Sequence, residues 1–323
     1  GEEERRIVFL GTPSCAALSL EMLLKAQESH PWRIAAVVSQ PPARSGRKKQ
    51  LTKSPVHELA ESAGLPVLTP VKAGEKDFLD ALREVDPDLC ITAAYGNFLP
   101  QRFLDIPHKG TLNIHPSLLP RYRGASPVQR SLQGGDETCA VTLLYTVLKM
   151  DAGPIVKQVE EPLEGNEQAP EVLDRMFRKG TELLIEALPS VFDGTAQVVE
   201  QDEALATAAP KLSVEEAVLD PSTASAREMH NKVRAFAGWP GTWVYVALEE
   251  GGELQRLKVL TTVVVDDAPG AAEPTSEVSL HSEGKKDDGY LRLVCADGSV
   301  LGLVEVQAPT KKALRAKAFV NGL

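Results

Sequence analysis

Short apolar runs punctuate the first half of the chain at Arg6–Leu10, Ile34–Val38, Leu89–Ala94 and Thr111–His115. Between them the apolar residues recur at helical spacing. Leu18, Leu20, Leu23 and Leu24 mark one such stretch across Ala16–Ala26, and Pro55–Ala63 and Phe78–Val85 follow. Val67-Leu68, Val141–Val147 and Ile155–Val159 read as further strands. Glu171–Val191 reads as an amphipathic helix, with Val172, Leu173, Met176, Phe177, Leu183, Leu184 and Leu188 on its apolar stripe. Parallel strands need long crossovers, and buried strands alternating with helices supply them. The expected fold class is therefore α/β, a Rossmann-like, mainly parallel sheet flanked by helices.

The pattern changes near 193–211. Asp193-Gly194, the polar Gln201–Glu203 and Ala209-Pro210 read as a linker. Beyond it, one helix over Thr223–Phe236 precedes strand-like runs at Trp243–Leu248, Leu257–Val265, Val278–His281, Leu291–Cys295 and Leu301–Val306. Closely spaced short strands predict a smaller C-terminal β-barrel or sandwich. A chain of 323 residues has room for about two domains. The expected division is 1–207 and 208–323.

No run of about 18 apolar residues exists, so no membrane-spanning helix and no membrane partner are expected. The four cysteines, Cys15, Cys90, Cys139 and Cys295, are far apart and form no CxxC pair. That argues against zinc and against a disulfide framework, and free buried thiols are expected. With 35 basic and 45 acidic residues the net charge is −10, a poor match to a polyanion taken as a whole. The positive charge is nevertheless segregated. Arg44–Lys53 has five basic residues in ten and no acidic one, and Thr310–Lys317 is a second basic stretch. Residues 211–323 carry 13 basic against 16 acidic groups, so any contact with a polyanion must come from such local patches.

Alternation along Thr111–His115 places Asn113 and His115 on one strand face, with Leu112 and Ile114 on the other. Pro116 ends the strand there, at the carboxyl end where open α/β sheets bind ligands. An amide and an imidazole aimed into one cleft could stabilise a developing oxyanion, although a lone histidine is more often structural. Asp151, before Ala152-Gly153-Pro154, could orient His115 or could simply be a turn residue. The intervening Ser117–Gly124 loop carries Arg121 and Arg123. Gly11-Thr12-Pro13 lacks the patterns of a phosphate loop, so no nucleotide is assigned there.

Asn113-x-His115, then SLLPRYRG at 117–124, then Asp151-Ala-Gly-Pro, in that order, resemble the 10-formyltetrahydrofolate-dependent formyltransferases. The resemblance implies Asn113, His115 and Asp151 as the catalytic set. It implies Ser117, Leu118, Leu119 and Pro120 as part of the folate site. IVFLGTP at 7–13, the basic loop at 40–56, KLSVEEAVLD at 211–220 and RAFAGWPGTW at 234–243 are similar to the branch that formylates initiator methionyl-tRNA. In that branch Arg47, Lys48 and Lys49 would lie in an inserted loop that reaches the tRNA, and the C-terminal domain would be an OB-like, tRNA-binding barrel. The resemblance thins after about residue 265. It implies 10-formyltetrahydrofolate as formyl donor, initiator methionyl-tRNA as partner, no metal, and a monomer. The start at Gly1 fits a removed leader, so a mitochondrion or plastid is expected, with a bacterial cytoplasm as the alternative. Glycinamide ribonucleotide, an amino-sugar nucleotide or water remain alternative formyl acceptors, and an RNA-binding scaffold without activity is the alternative of a different class.

Overall fold

The computed structural model describes residues 4–45, 50–266, 270, 272–282 and 288–322. Two compact units emerge. One comprises 1–124, 138–161 and 173–209, the other 125–137, 162–172 and 210–323.

In chain order the first stretch holds β1 (Arg5–Gly11), α1 (Ser14–Ala26), β2 (Trp32–Val38), β3 (Ala43–Ser45), β4 (Gln50–Thr52), α2 (Pro55–Ser62) and β5 (Val67–Leu68). There follow α3 (Lys76–Val85), β6 (Leu89–Ala93), α4 (Gln101–Leu104), β7 (Thr111–His115), α5 (Pro127–Gly134), β8 (Thr138–Tyr145), β9 (Ile155–Pro162) and α6 (Ala169–Asp193). The main sheet runs β5-β2-β1-β6-β7-β8-β9. The strands from β5 to β7 are parallel, and β8 joins β7 antiparallel. The expected mainly parallel sheet is thus present. The order of strand addition reverses at β1, with β2 on one side and β6 on the other, and in open α/β sheets such a switch point marks the ligand crevice at the carboxyl ends of the strands.

Burial on both sides explains the apolar runs: Ile7, Val8, Phe9 and Leu10 are all fully buried. Helix α6 covers one side. A Cβ on its Gly180 would come 2.6 Å from Ile114 and 2.8 Å from Val141, so the missing side chain is what lets the helix lie close to β7 and β8. All four cysteines are buried thiols outside any disulfide.

The basic segment differs from a plain loop. Its flanks pair as a hairpin, Ala43 with Thr52, Arg44 with Leu51 and Ser45 with Gln50. Arg47, Lys48 and Lys49 lie outside the described residues.

The second unit contains β10 (Val218–Leu219), α7 (Ala226–Phe236), β11 (Thr242–Val246), β12 (Gln255–Asp266), β13 (Ser279–His281), β14 (Tyr290–Val294), β15 (Val300–Gln307), β16 (Leu314–Arg315) and α8 (Ala316–Asn321). Its sheet runs β10-β11-β12-β15-β14-β13, with β16 on β15. A parallel bridge between Ala247 and Glu277 returns β13 to β11, so five strands form a barrel-like ring. Met229 and Val233 of α7 belong to its core with Val244, Val259, Leu303 and Val306.

Helix α7 begins at Ala226 and not at Thr223 because Ser225 caps it. Ser225 Oγ accepts the Glu228 N–H, and the Glu228 carboxylate accepts the Ser225 N–H. Two earlier segments join this unit through polar contacts. Arg130 of α5 pairs with Glu216 at 2.7 Å and donates to the Pro210 carbonyl. His230 and Arg234 of α7 donate to the carbonyls of Gly165 and Glu167.

Candidate active site

Asn113 and His115 occupy the last turn of pleat on β7, on one face as alternation requires. Asn113 is half-buried. Thr92 lies opposite it in register on β6, and its hydroxyl donates to Asn113 Oδ1 at 2.8 Å. With its oxygen occupied, the carboxamide presents its NH2 as the available donor.

His115 is 4% exposed. Its Nε2 lies 2.9 Å from the Tyr122 carbonyl, which can only accept, so the proton on this edge sits at Nε2. The other ring nitrogen, Nδ1, lies 3.7 Å from Asp151 Oδ1. A proton held at Nδ1 would face a carboxylate, and a lone pair there would face one too. Water or an incoming polar group between them resolves the second case.

Asp151 is a turn residue and a charged neighbour of His115 at once. Its backbone is left-handed, φ 52°, while Oδ2 accepts the Gly124 N–H at 2.8 Å. Two residues, Gln201 and Glu203, clasp this turn from the segment read as linker. Gln201 donates to the carbonyls of Asp151 and Gly153, both at 2.8 Å, and accepts from Arg123. Arg123 also pairs with Glu203 at 3.0 Å, and Lys149 reaches the same carboxylate at 2.6 Å. The Arg123 and Lys149 hydrogen bonds hold the Glu203 carboxyl well below its ordinary range, at about 2. Gln201–Glu203 is therefore part of the first unit's site architecture and not a free linker. Arg123 does not extend outward; its guanidinium is consumed by these contacts.

The SLLP segment is a turn braced from below. Ser117 Oγ donates to the Arg121 carbonyl, Thr142 Oγ1 donates to the Ser117 carbonyl, and Gln158 donates to the Leu119 carbonyl. Leu119 clusters with Leu144 and Ile155, while Leu118 and Pro120 stay half-buried. On the other side of the crevice, the Tyr95 carbonyl accepts from Thr12 at 2.9 Å and from Gln40 at 3.2 Å. These bonds tie together the loops after β1, β2 and β6, so Gly11-Thr12-Pro13 serves the crevice wall.

Sequence reasoning missed Thr92, Gln201 and Glu203. Thr92 left a signal, the one hydroxyl in the buried run LCITA. The clasp left none, because 50 residues separate Gln201 from Asp151. Among the described residues no group of histidine, cysteine and carboxylate side chains could hold a metal ion.

Residues 5–188 match the formyl transferase family, and residues 211–323 match the formyl transferase C-terminal domain. Solved structures share the fold. WlaRD, a sugar 3N-formyl transferase in the presence of dTDP and 5-N-formyl-THF, is 15% identical with a TM-score of 0.63 over 97% of this chain and 100% of its own. The N-formyltransferase of Helicobacter canadensis, in complex with folinic acid and dTDP-3-aminofucose, is 16% identical with a TM-score of 0.62 over 93% and 98%. HypX from Aquifex aeolicus, in complex with tetrahydrofolic acid, is 18% identical with a TM-score of 0.62 over 98% of this chain; the chain spans about half of HypX, 47%. With both domains matched along most of its length, the chain belongs to the formyl transferase family and is a formyltransferase.

Proposed function

We propose that this formyltransferase moves the formyl group of 10-formyltetrahydrofolate onto the α-amine of initiator methionyl-tRNA. The observation that carries the acceptor is the Arg44–Lys53 segment, five cations in ten residues in a chain of net −10. Its described flanks, Ala43–Ser45 and Gln50–Thr52, pair as a hairpin in the connection that follows β2. A polyanionic acceptor needs such a concentrated patch when the rest of the chain repels it. The folate donor is supported by the folates named with the similar structures.

The α-amine attacks the formyl carbon and forms the new C–N bond. The Asn113 NH2 donates to the formyl oxygen as it becomes an oxyanion. His115 works through Nδ1, because Nε2 is committed to the Tyr122 carbonyl. Asp151 stabilises a proton at Nδ1 and, directly or through water, accepts a proton from the cationic nitrogen that the attack creates. As the intermediate collapses, the bond from the formyl carbon to folate N10 breaks and N10 takes a proton. One amine proton is lost and one is gained on the folate, so the transfer is redox-neutral.

A nucleotide-linked amino sugar is the second reading, favoured by the substrate class named for WlaRD and the Helicobacter canadensis enzyme. Labelled 10-formyltetrahydrofolate, offered with charged initiator tRNA, a dTDP-amino sugar, glycinamide ribonucleotide, free methionine or water alone, separates the readings. Label in formylmethionyl-tRNA is expected. Label in the amino sugar alone would replace the proposed acceptor.

A further inference from the structure

Residues 207–209 lie in the stretch read as a linker, yet they run alongside 122–124 and bond to them. Thr207 Oγ1 accepts the Tyr122 N–H at 2.8 Å, and the Thr207 carbonyl accepts the Arg123 N–H, also at 2.8 Å. The Ala209 N–H donates to the Arg123 carbonyl at 2.7 Å, and Arg123 and Ala208 form a parallel bridge. A Cβ on Gly124 would come 2.6 Å from the Ala209 carbonyl oxygen, so the glycine is what lets the two segments approach.

These bonds hold Tyr122 in place. Its backbone is left-handed, φ 62°, a conformation that a residue other than glycine keeps only when its surroundings impose it. Thr207 imposes it from both sides. Its hydroxyl takes the N–H before the Tyr122 Cα, and its carbonyl takes the N–H of the peptide after it. That second peptide is planar and trans, so its C=O points opposite to its N–H. With the Arg123 N–H on Thr207, the Tyr122 carbonyl faces the other way, where it lies 2.9 Å from His115 Nε2.

Two acceptors compete for the one proton of a neutral His115 ring. The Tyr122 carbonyl draws it to Nε2, and Asp151 Oδ1, 3.7 Å from Nδ1, draws it to Nδ1. Only the first tautomer leaves Nδ1 a lone pair with which to take a proton from the reacting groups. A carboxylate is the stronger acceptor, so this tautomer persists only while the carbonyl stays aimed at Nε2. We propose that Thr207 is a positioning residue for His115, a role that rests on His115 acting through Nδ1. By fixing both peptides of Tyr122, it keeps the His115 proton at Nε2 and Nδ1 ready to receive another.

Thr207 is exposed, so in Thr207→Val water takes over the Tyr122 N–H, and the chain folds while the peptide loses its aim. The test uses the full chain with isotope-labelled histidine. The His115 ring is assigned by its loss in His115→Ala, and its tautomer is read by heteronuclear NMR at about pH 9, where imidazoles are neutral. The wild type should carry its proton at Nε2 alone. Thr207→Val and Thr207→Ala both remove the acceptor and should populate the Nδ1–H form as well. Both should lower kcat for formyl transfer to charged initiator tRNA about tenfold, with the KM of either substrate unchanged. Thr207→Ser keeps the hydroxyl and should restore both readouts. A wild-type proton on Nδ1 would overturn the role of Thr207, and so would a wild-type tautomer or a wild-type kcat in both acceptor-free variants. The tautomer is read without a formyl acceptor, so it stands or falls apart from the tRNA reading. If His115→Ala transfers the formyl group at the wild-type rate, the reading of His115 falls, and the role of Thr207 falls with it.

Discussion

The Thr92 hydroxyl donates to Asn113 Oδ1 at 2.8 Å from the neighbouring strand, and this one bond decides which end of the amide faces the crevice. Removing it without changing shape is possible. Thr92→Val should lower kcat about tenfold with little change in either KM, because Asn113 then samples both amide orientations. Thr92→Ser should restore it, and the thermal midpoints of both variants should stay near wild type. Steady-state kinetics with both substrates checks this. An unchanged kcat in the valine variant would reduce Thr92 to a packing residue.

Gly153 is the tightest point of the turn that carries Asp151. A Cβ there would sit 1.8 Å from the Tyr145 carbonyl oxygen, which is backbone and cannot swing away. Gly153→Ala should therefore displace the turn, costing about 2 kcal/mol or more, and should lower activity even where the chain still folds. Denaturant unfolding and kinetics on the same sample measure both effects.

Glu203 makes the clasp sensitive to acid. Its folded carboxyl is depressed to about 2 by the Arg123 and Lys149 hydrogen bonds, against an ordinary value of 4.5. A depressed folded value means the stabilisation is complete above 4.5 and fades as pH falls through about 2. The side chain is exposed, so the effect is small and reduced by salt. Thermal midpoints of wild type and Glu203→Gln should differ at pH 6 and converge near pH 2. Parallel curves over that window would show that Glu203 contributes nothing through its charge.

Periodicity reveals the fold well because burial imposes it. The runs at β1, β2, β6 and β7 are apolar because both sheet faces are covered, and Asn113 and His115 stand out as the polar residues of such a run. Other features depend on contacts that local sequence does not encode. Helix α5 is eight residues long and is held by α7 and by Glu216, roughly 90 residues away, so no local pattern announces it. The same contacts explain why 125–137 and 162–172 cluster with 210–323, although they precede it by many residues. Gln201–Glu203 looks like a linker since it is polar and short of apolar residues, yet its polarity is spent on the carbonyls and cations of the site.

The proposed chemistry requires Asn113 and His115 to act on the transition state and not on binding. The most direct measurement is the single-turnover rate of formyl transfer to charged initiator tRNA at saturating 10-formyltetrahydrofolate, for the wild type, Asn113→Ala and His115→Ala. Each variant should form formylmethionyl-tRNA at least about 10²-fold more slowly, with both substrates bound as tightly as in the wild type. A variant that transfers the formyl group at a near wild-type rate would contradict the assignment of that residue, and two such variants would contradict the site.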